Sequence, residues 1–100
     1  MISVMVTYTV NENFIFNNKE NIASFLEDFK SLQEDSFKYT IYQQQDHGTF
    51  IHVSEYKNEI IQKELLNIPS FLAFQQQRDQ NLKVEPVVKM VNVIGSSGNL

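Results

Sequence analysis

The chain has 100 residues, a formal net charge of −4 and no cysteine. That length fits one domain, and its acidic and basic residues are interspersed, which argues against a nucleic-acid partner because phosphate binding needs a clustered basic face. The absence of cysteine excludes disulfides and thiolate chemistry and fits a reducing, cytoplasmic setting. We find no signal-peptide pattern and no apolar run of the roughly 18–20 residues that a membrane span needs.

The first third of the chain predicts a strand followed by a helix. In residues 2–10, isoleucine, valine and tyrosine alternate with serine, methionine and threonine, and this period of two is typical of a strand. Apolar residues then recur at the spacing of one helical face, which predicts an amphipathic helix over residues 18–33 with Asn17 or Asn18 as its N-cap. The residues of that face are Ile22, Phe25, Leu26, Phe29 and Leu32.

The rest of the chain predicts a hairpin, two short helices and a last strand. Residues 37–45 and 49–56 alternate in the same way and flank Asp46-His47-Gly48, a Gly-containing turn. Asn58 is a suitable cap for a helix over 59–66, and Pro69 fits the first turn of a second helix over 69–79. Residues 82–94 predict a strand in which Pro86 marks an edge or a bulge. We therefore expect one domain over residues 1–94 and a flexible tail over 95–100.

This order of elements predicts an α+β fold of the ferredoxin-like βαββαβ type, with a four-stranded antiparallel sheet and its helices on one face. The other face also needs a cover, because the strands are apolar on both sides. In the last strand we expect Val84, Val88, Met90 and Ile94 on one face and Val87, Val91 and Val93 on the other. A second copy of the sheet is the simplest cover, so the sequence predicts a homodimer with facing sheets.

One stretch resembles a known family. It comprises the strand Thr49–Tyr56, the cap Asn58, and a run that ends in Pro69, Phe71 and Phe74. Through these residues the chain resembles the antibiotic biosynthesis monooxygenase-like family of the dimeric α+β barrel superfamily, and the resemblance extends over residues 2–94. The resemblance implies a homodimer with a cavity between sheet and helices in each subunit. It also implies cofactor-free oxygenation of small aromatic or quinol substrates or, in relatives, oxidative haem degradation.

Several positions depart from the family pattern. A Glu is common where this chain has Ser54, and a Trp where it has Tyr56. Histidines common near the Pro are replaced by Leu65 and Ser70. The haem-degrading relatives have a Trp near Leu65 and a haem-binding His near Gln75, and a Gln is a poor axial ligand. The chain therefore keeps the packing residues of the family and lacks the residues for haem degradation, and we expect no cofactor.

The candidate site lies on one face of the strand 49–56. His52, Ser54 and Tyr56 alternate there with Phe50, so all four side chains share a face. The functional interpretation makes His52 a general base and Tyr56 an orienting hydroxyl. The structural alternative, which general experience favours, is a half-buried His bonded to a neighbour beside an ordinary packed Tyr.

The remaining candidates are weaker. Tyr8, Ser54, Asn58 and Phe71 are possible substrate-pocket residues, although capping alone explains Asn58 and core packing alone explains Phe71. Among the other tyrosines, Tyr39 and Tyr42 point to opposite faces. His47 lies in the turn and is expected to be solvated, and no set of residues has the spacing of a metal site.

Two further hypotheses stay open beside the oxygenase. One is a non-catalytic dimeric barrel that binds a small apolar ligand or has a structural role, since the family's histidine positions and every Trp are lost. The other is an interaction protein whose exposed sheet pairs with a different chain. Fold does not decide among them, because the same fold supports many functions.

Overall fold

The computed structural model describes residues 1–32 and 35–98, and the predicted ferredoxin-like α+β fold is confirmed. Four antiparallel strands form one sheet in the order β2-β3-β1-β4. No helix in the described residues is long and apolar enough to span a membrane. The elements are β1 Ile2–Val10, a 3-10 turn Glu12–Phe14, α1 Ile15–Ser31, β2 Phe37–Gln43, β3 Thr49–Tyr56, α2 Glu59–Leu66, α3 Pro69–Asp79 and β4 Leu82–Val91.

The predicted start of the first helix at residue 18 is wrong, because α1 already begins at Ile15. A 3-10 turn leads into it, and neither Asn17 nor Asn18 caps it. The buried Phe14 extends the apolar stripe toward the N-terminus, and the stripe then passes through position 18. Asn18 is therefore a fully buried residue on the inner face of the helix. The helix ends at Ser31, and Gln33, the predicted end, lies outside the described residues.

The two short helices are confirmed with the predicted bounds. The Asn58 side chain accepts a hydrogen bond from the Ile61 amide at 3.0 Å, which caps α2. Pro69 occupies the first turn of α3, where its missing N–H costs little. The break between α2 and α3 lets α3 pack against α1, so both helical blocks cover one face of the sheet.

The last strand differs from its prediction in its length and in the face of the sheet on which one of its side chains lies. It ends at Val91, so Val93 and Ile94 are not part of it. Its pairing with β1 shifts between Thr7 and Thr9 and again between Thr9 and Val10, as bulges do. The extra residue turns Val84 to the outer face with Val87, so the prediction that Val84 shares the face of Val88 and Met90 is wrong. Pro86 lies in this irregular part of an edge strand, as expected.

The core lies between the helices and the inner face of the sheet and is mainly aromatic. Phe25 of α1 is 0% exposed, and its ring centre lies 5.0 Å from that of Phe71 and 4.9 Å from that of Phe74. Tyr39 of β2 completes the contact with an edge-on ring at 5.6 Å. The core therefore joins α1, α3 and the sheet through rings, and the candidate site lies within this aromatic layer.

The outer face of the sheet carries no helix among the described residues. The cross-strand register places Met5, Val53 and Thr40 side by side on it, with Thr7 and Val87 next to them. Val84 and Val87 are each about half exposed in the single subunit. The same register adds the charged residues Lys38, Glu55 and Lys89 to this face, which is therefore a mixed surface with an apolar patch that is open to contact.

Candidate functional site

A cavity of about 240 Å³ lies between the inner face of the sheet and helices α2 and α3. A wider surface depression of about 450 Å³ beside Lys30 and Lys38 is more open to solvent. The smaller cavity is the candidate site because buried and half-buried polar side chains line it. From the sheet these are Tyr39, His52, Ser54 and Tyr56, and from the helices Gln62, Gln75 and Arg78.

His52 lies at the centre of β3 between two tyrosines. Its ring Nε2 is 2.8 Å from the Tyr8 hydroxyl, and its Nδ1 is 2.8 Å from the Tyr39 hydroxyl. The sheet order explains this contact, since β3 lies between β1, which carries Tyr8, and β2, which carries Tyr39. The imidazole is 2% exposed, and both of its nitrogens are hydrogen-bonded.

Burial and, to a smaller extent, the positive charge of Arg78 together lower the pKa of His52 to about 3. The imidazole is therefore neutral at physiological pH, with one N–H donor and one acceptor nitrogen. Its two tyrosine partners must then have opposite roles: one hydroxyl donates to the ring and the other accepts from it. A base with this pKa is weak.

The two tyrosines are neutral phenols. Burial raises the pKa of Tyr8 to about 12, although the hydrogen bond from Asn18 and the charge of Arg78 act in the opposite direction. Burial raises the pKa of Tyr39 as well, and the neighbouring Tyr56 adds to this shift. Neither hydroxyl ionises at physiological pH, so both serve as hydrogen-bonding groups.

Arg78 brings the positive charge to the cavity. It is the only arginine of the chain and is 9% exposed. Its Nε and Nη2 donate to Asp79 Oδ1 at 3.1 and 2.9 Å, and its guanidinium carbon lies 5.1 Å from the Tyr8 ring centre. Within the described residues Nη1 has no acceptor. The guanidinium is therefore held in place on one side and keeps donors for a ligand on the other.

The predicted site residues fall into two groups. His52, Ser54, Tyr56 and Phe71 line the cavity. Tyr8 lies behind His52 without reaching the cavity. Asn58 is occupied as the cap of α2, outside the cavity lining.

Burial raises the pKa of Tyr56, whereas its hydrogen bond with Ser54 lowers it in part. The Ser54 hydroxyl also lies 3.5 Å from the Val4 carbonyl oxygen, at the long limit of a hydrogen bond. Ser54 and Tyr56 thus form a second, less tightly bonded polar pair on the cavity wall.

Sequence reasoning missed Asn18, Gln62 and Arg78. For Asn18 a signal exists: once Phe14 is included in the apolar stripe, position 18 falls on the buried face of α1. For Arg78 the signal is its distance of seven residues from Phe71, two helical turns, which places both on one face of α3. Within residues 1–32 and 35–98, no three His, Asp or Glu side chains converge as a metal site would require.

No family model and no curated protein matches the sequence. Solved structures do match. An antibiotic biosynthesis monooxygenase superposes with a TM-score of 0.79 at 14% identity, over 95% of this chain and 100% of that one. Rv0793 from Mycobacterium tuberculosis superposes with a TM-score of 0.79 at 15% identity, over 97% of this chain and 98% of that one. SnoaB, a cofactor-independent oxygenase from Streptomyces nogalater, superposes with a TM-score of 0.73 at 11% identity, over 98% of this chain and 97% of that one.

These identities are low, so the likeness is one of fold. It extends over nearly the whole of each chain, which agrees with the resemblance found in the stretch from Thr49 to Phe74. The chain therefore has the fold of the antibiotic biosynthesis monooxygenase structures.

Proposed function

We propose that this chain is a cofactor-independent oxygenase of small aromatic substrates of the quinol type. The observation that carries the proposal is the cavity itself, in which a buried cation, Arg78, faces the same space as the neutral His52. A concave, partly apolar cavity with a few fixed polar groups is typical of a small-molecule site. The likeness in fold to a cofactor-independent oxygenase supports the proposal.

The proposed chemistry balances without a cofactor. A quinol and O₂ give a hydroxyquinone and water, so the ring is oxidised and O₂ is reduced. The quinol hydroxyl first loses its proton, and Arg78 stabilises the oxyanion that forms. An anion in the cavity also offsets the charge of Arg78 and raises the pKa of His52. Because both ring nitrogens are hydrogen-bonded to tyrosines, the imidazole accepts the proton only after one of these bonds opens. Tyr56 orients the substrate, and Phe71 packs against its ring.

Binding without catalysis is the second candidate. It is favoured by the two hydrogen bonds of His52, which occupy both ring nitrogens, and by the pKa of about 3. Such an imidazole orients its neighbours well and accepts protons poorly. In this case the cavity holds a small aromatic or apolar ligand, and no oxygen is consumed.

Oxygen uptake with 1,4-dihydroxynaphthalene distinguishes the two. We expect the protein to consume O₂ faster than the protein-free autoxidation, and Arg78→Met to lower kcat/KM about 100-fold because it removes the charge that stabilises the oxyanion. Lys83→Met removes an exposed positive charge nearby and should change little. Uptake that survives His52→Ala would exclude His52 as the base. Calorimetric binding of the quinol with no uptake above autoxidation would favour the second candidate.

We also propose that the protein is a homodimer with facing sheets. The support is the outer face of the sheet, where Met5, Val53 and Val87 lie close together and no helix covers them among the described residues. A cytoplasmic location and the division into residues 1–94 and a flexible tail stay predictions of the sequence.

Sedimentation tests the dimer. We expect a dimer at micromolar concentration, and a monomer after Val53→Glu, because the substitution places a charge at the centre of the outer face. Ile60→Glu introduces the same charge at an exposed position on α2 and should leave the dimer intact. A stable wild-type monomer at micromolar concentration would contradict the proposal.

A further inference from the structure

Four side chains form a continuous line of hydrogen bonds that ends at the cavity. Asn18 Nδ2 donates to the Tyr8 hydroxyl at 3.0 Å, the Tyr8 hydroxyl contacts His52 Nε2 at 2.8 Å, and His52 Nδ1 contacts the Tyr39 hydroxyl at 2.8 Å. Asn18 is 0% exposed, and its Oδ1 is buried without a partner. Only the far end of the line, at Tyr39 and His52, lines the cavity.

Stability alone does not explain an amide at position 18. The position lies on the buried stripe of α1, where an apolar side chain packs without cost, and an unpartnered buried acceptor costs roughly 1–3 kcal/mol. The Tyr8 hydroxyl does not need Asn18 to be satisfied either, because it already bonds His52. What Asn18 adds is a direction for the hydrogen bonds.

That direction follows from counting hydrogens. Because Asn18 donates to the Tyr8 oxygen, the Tyr8 hydrogen is free to donate to His52 Nε2. A neutral imidazole that accepts at Nε2 carries its hydrogen on Nδ1, and it donates that hydrogen to the Tyr39 oxygen. The Tyr39 hydroxyl hydrogen then has no acceptor among the described residues and is available to the cavity.

We propose that Asn18 is a positioning residue that sets the tautomer of His52 and so makes the Tyr39 hydroxyl a hydrogen-bond donor to an oxyanion in the cavity. The ligand class is a small aromatic molecule with a phenolate, enolate or carboxylate oxygen, held by Tyr39 and Arg78 together. The ligand class rests on the proposed function, whereas the tautomer does not. The two therefore fail separately.

The tautomer is measured on the unmodified protein by ¹⁵N NMR of the histidine side chains at neutral pH. We expect His52 to be protonated at Nδ1 with Nε2 as an acceptor, the form that is the minor one for a free imidazole in water. The exposed His47 provides an imidazole in solvent within the same spectrum. Protonation of His52 at Nε2 would overturn the proposal, because Tyr39 would then donate to the ring and not to the cavity.

The effect on the ligand is measured with Asn18→Leu, which removes the donor and keeps the branching and the number of side-chain heavy atoms. We expect the variant to lose the pure Nδ1–H form of His52. Binding of 2-naphthoate should become roughly tenfold weaker, the effect of about one hydrogen bond, whereas binding of the neutral naphthalene should not change. Asn17→Leu makes the same change at the adjacent exposed position and should alter neither. Equal weakening of both ligands would mean a packing role and would contradict the proposal. Should Asn18→Leu not fold, the wild-type spectrum still decides the tautomer.

Discussion

Replacing Phe25 with alanine is expected to lower the free energy of unfolding by about 3–5 kcal/mol, the usual cost of removing a fully buried ring. The ring lies within 5.1 Å, centre to centre, of three other phenylalanine rings. These belong to α1 itself and to α3, so the cavity left behind would separate the two helical blocks. Hydrogen bonds from Asn21 to Gln77 and from Ser70 to Asp28 also join the two helices, but they are exposed and cannot refill the space.

The loss is measured by urea or thermal unfolding, and the melting temperature should fall by roughly 15–30 °C for a domain of this size. Phe16→Ala is the matched control, because Phe16 lies on the same helix and is 72% exposed. It should change stability by less than about 0.5 kcal/mol. Equal effects of the two substitutions would show that α1 does not pack as described.

Acid should destabilise the protein through His52. In the unfolded chain this imidazole binds a proton below its ordinary pKa of 6.5, whereas in the folded protein it stays neutral down to about 3. Between these values the unfolded state binds more protons, so stability falls as the pH falls, by about 1.4 kcal/mol per pH unit. The loss is complete below pH 3 and amounts to something on the order of 4–5 kcal/mol.

His52→Gln isolates this contribution from that of the carboxylates, because glutamine keeps one donor and one acceptor and does not bind a proton. Urea unfolding of both proteins between pH 4 and 6.5 gives the slope of the unfolding free energy against pH. In the variant this slope should correspond to about one proton fewer taken up on unfolding. The variant is expected to be less stable than the wild type at neutral pH, and the difference in stability should become smaller as the pH falls. Parallel pH profiles would show that the imidazole is not buried in a neutral form.

Much of the fold follows from local signals in the sequence. The α2–α3 unit is specified by Asn58 and Pro69, whose preferences act within one helical turn and need no tertiary partner. The start of α1 could not be read in this way, because two adjacent asparagines look like a cap until Phe14 is known to be buried. The face of the sheet on which Val84 lies depends on a bulge that arises only when β4 pairs with β1.

The site could be predicted only along one strand. The period of two places His52, Ser54 and Tyr56 on a common face, and all three line the cavity. The partners of His52 come from other strands, at sequence separations that no local pattern encodes. The spacing from Phe71 places Arg78 on the inner side of α3, but a charged residue near the end of a helix is usually exposed. Its burial therefore follows only from the packing of α3 against the sheet.

The irregular pairing of β4 also bears on how copies of this chain can assemble. Pro86 lacks an amide hydrogen, and two interruptions of the ladder bend the strand that forms one border of the sheet. Such a border is a poor template for another strand, so growth by strand addition, which would continue into fibrils, is hindered there. Contact through the broad side of the sheet ends after two copies, and the shape of β4 thus favours closed assembly over open polymerisation.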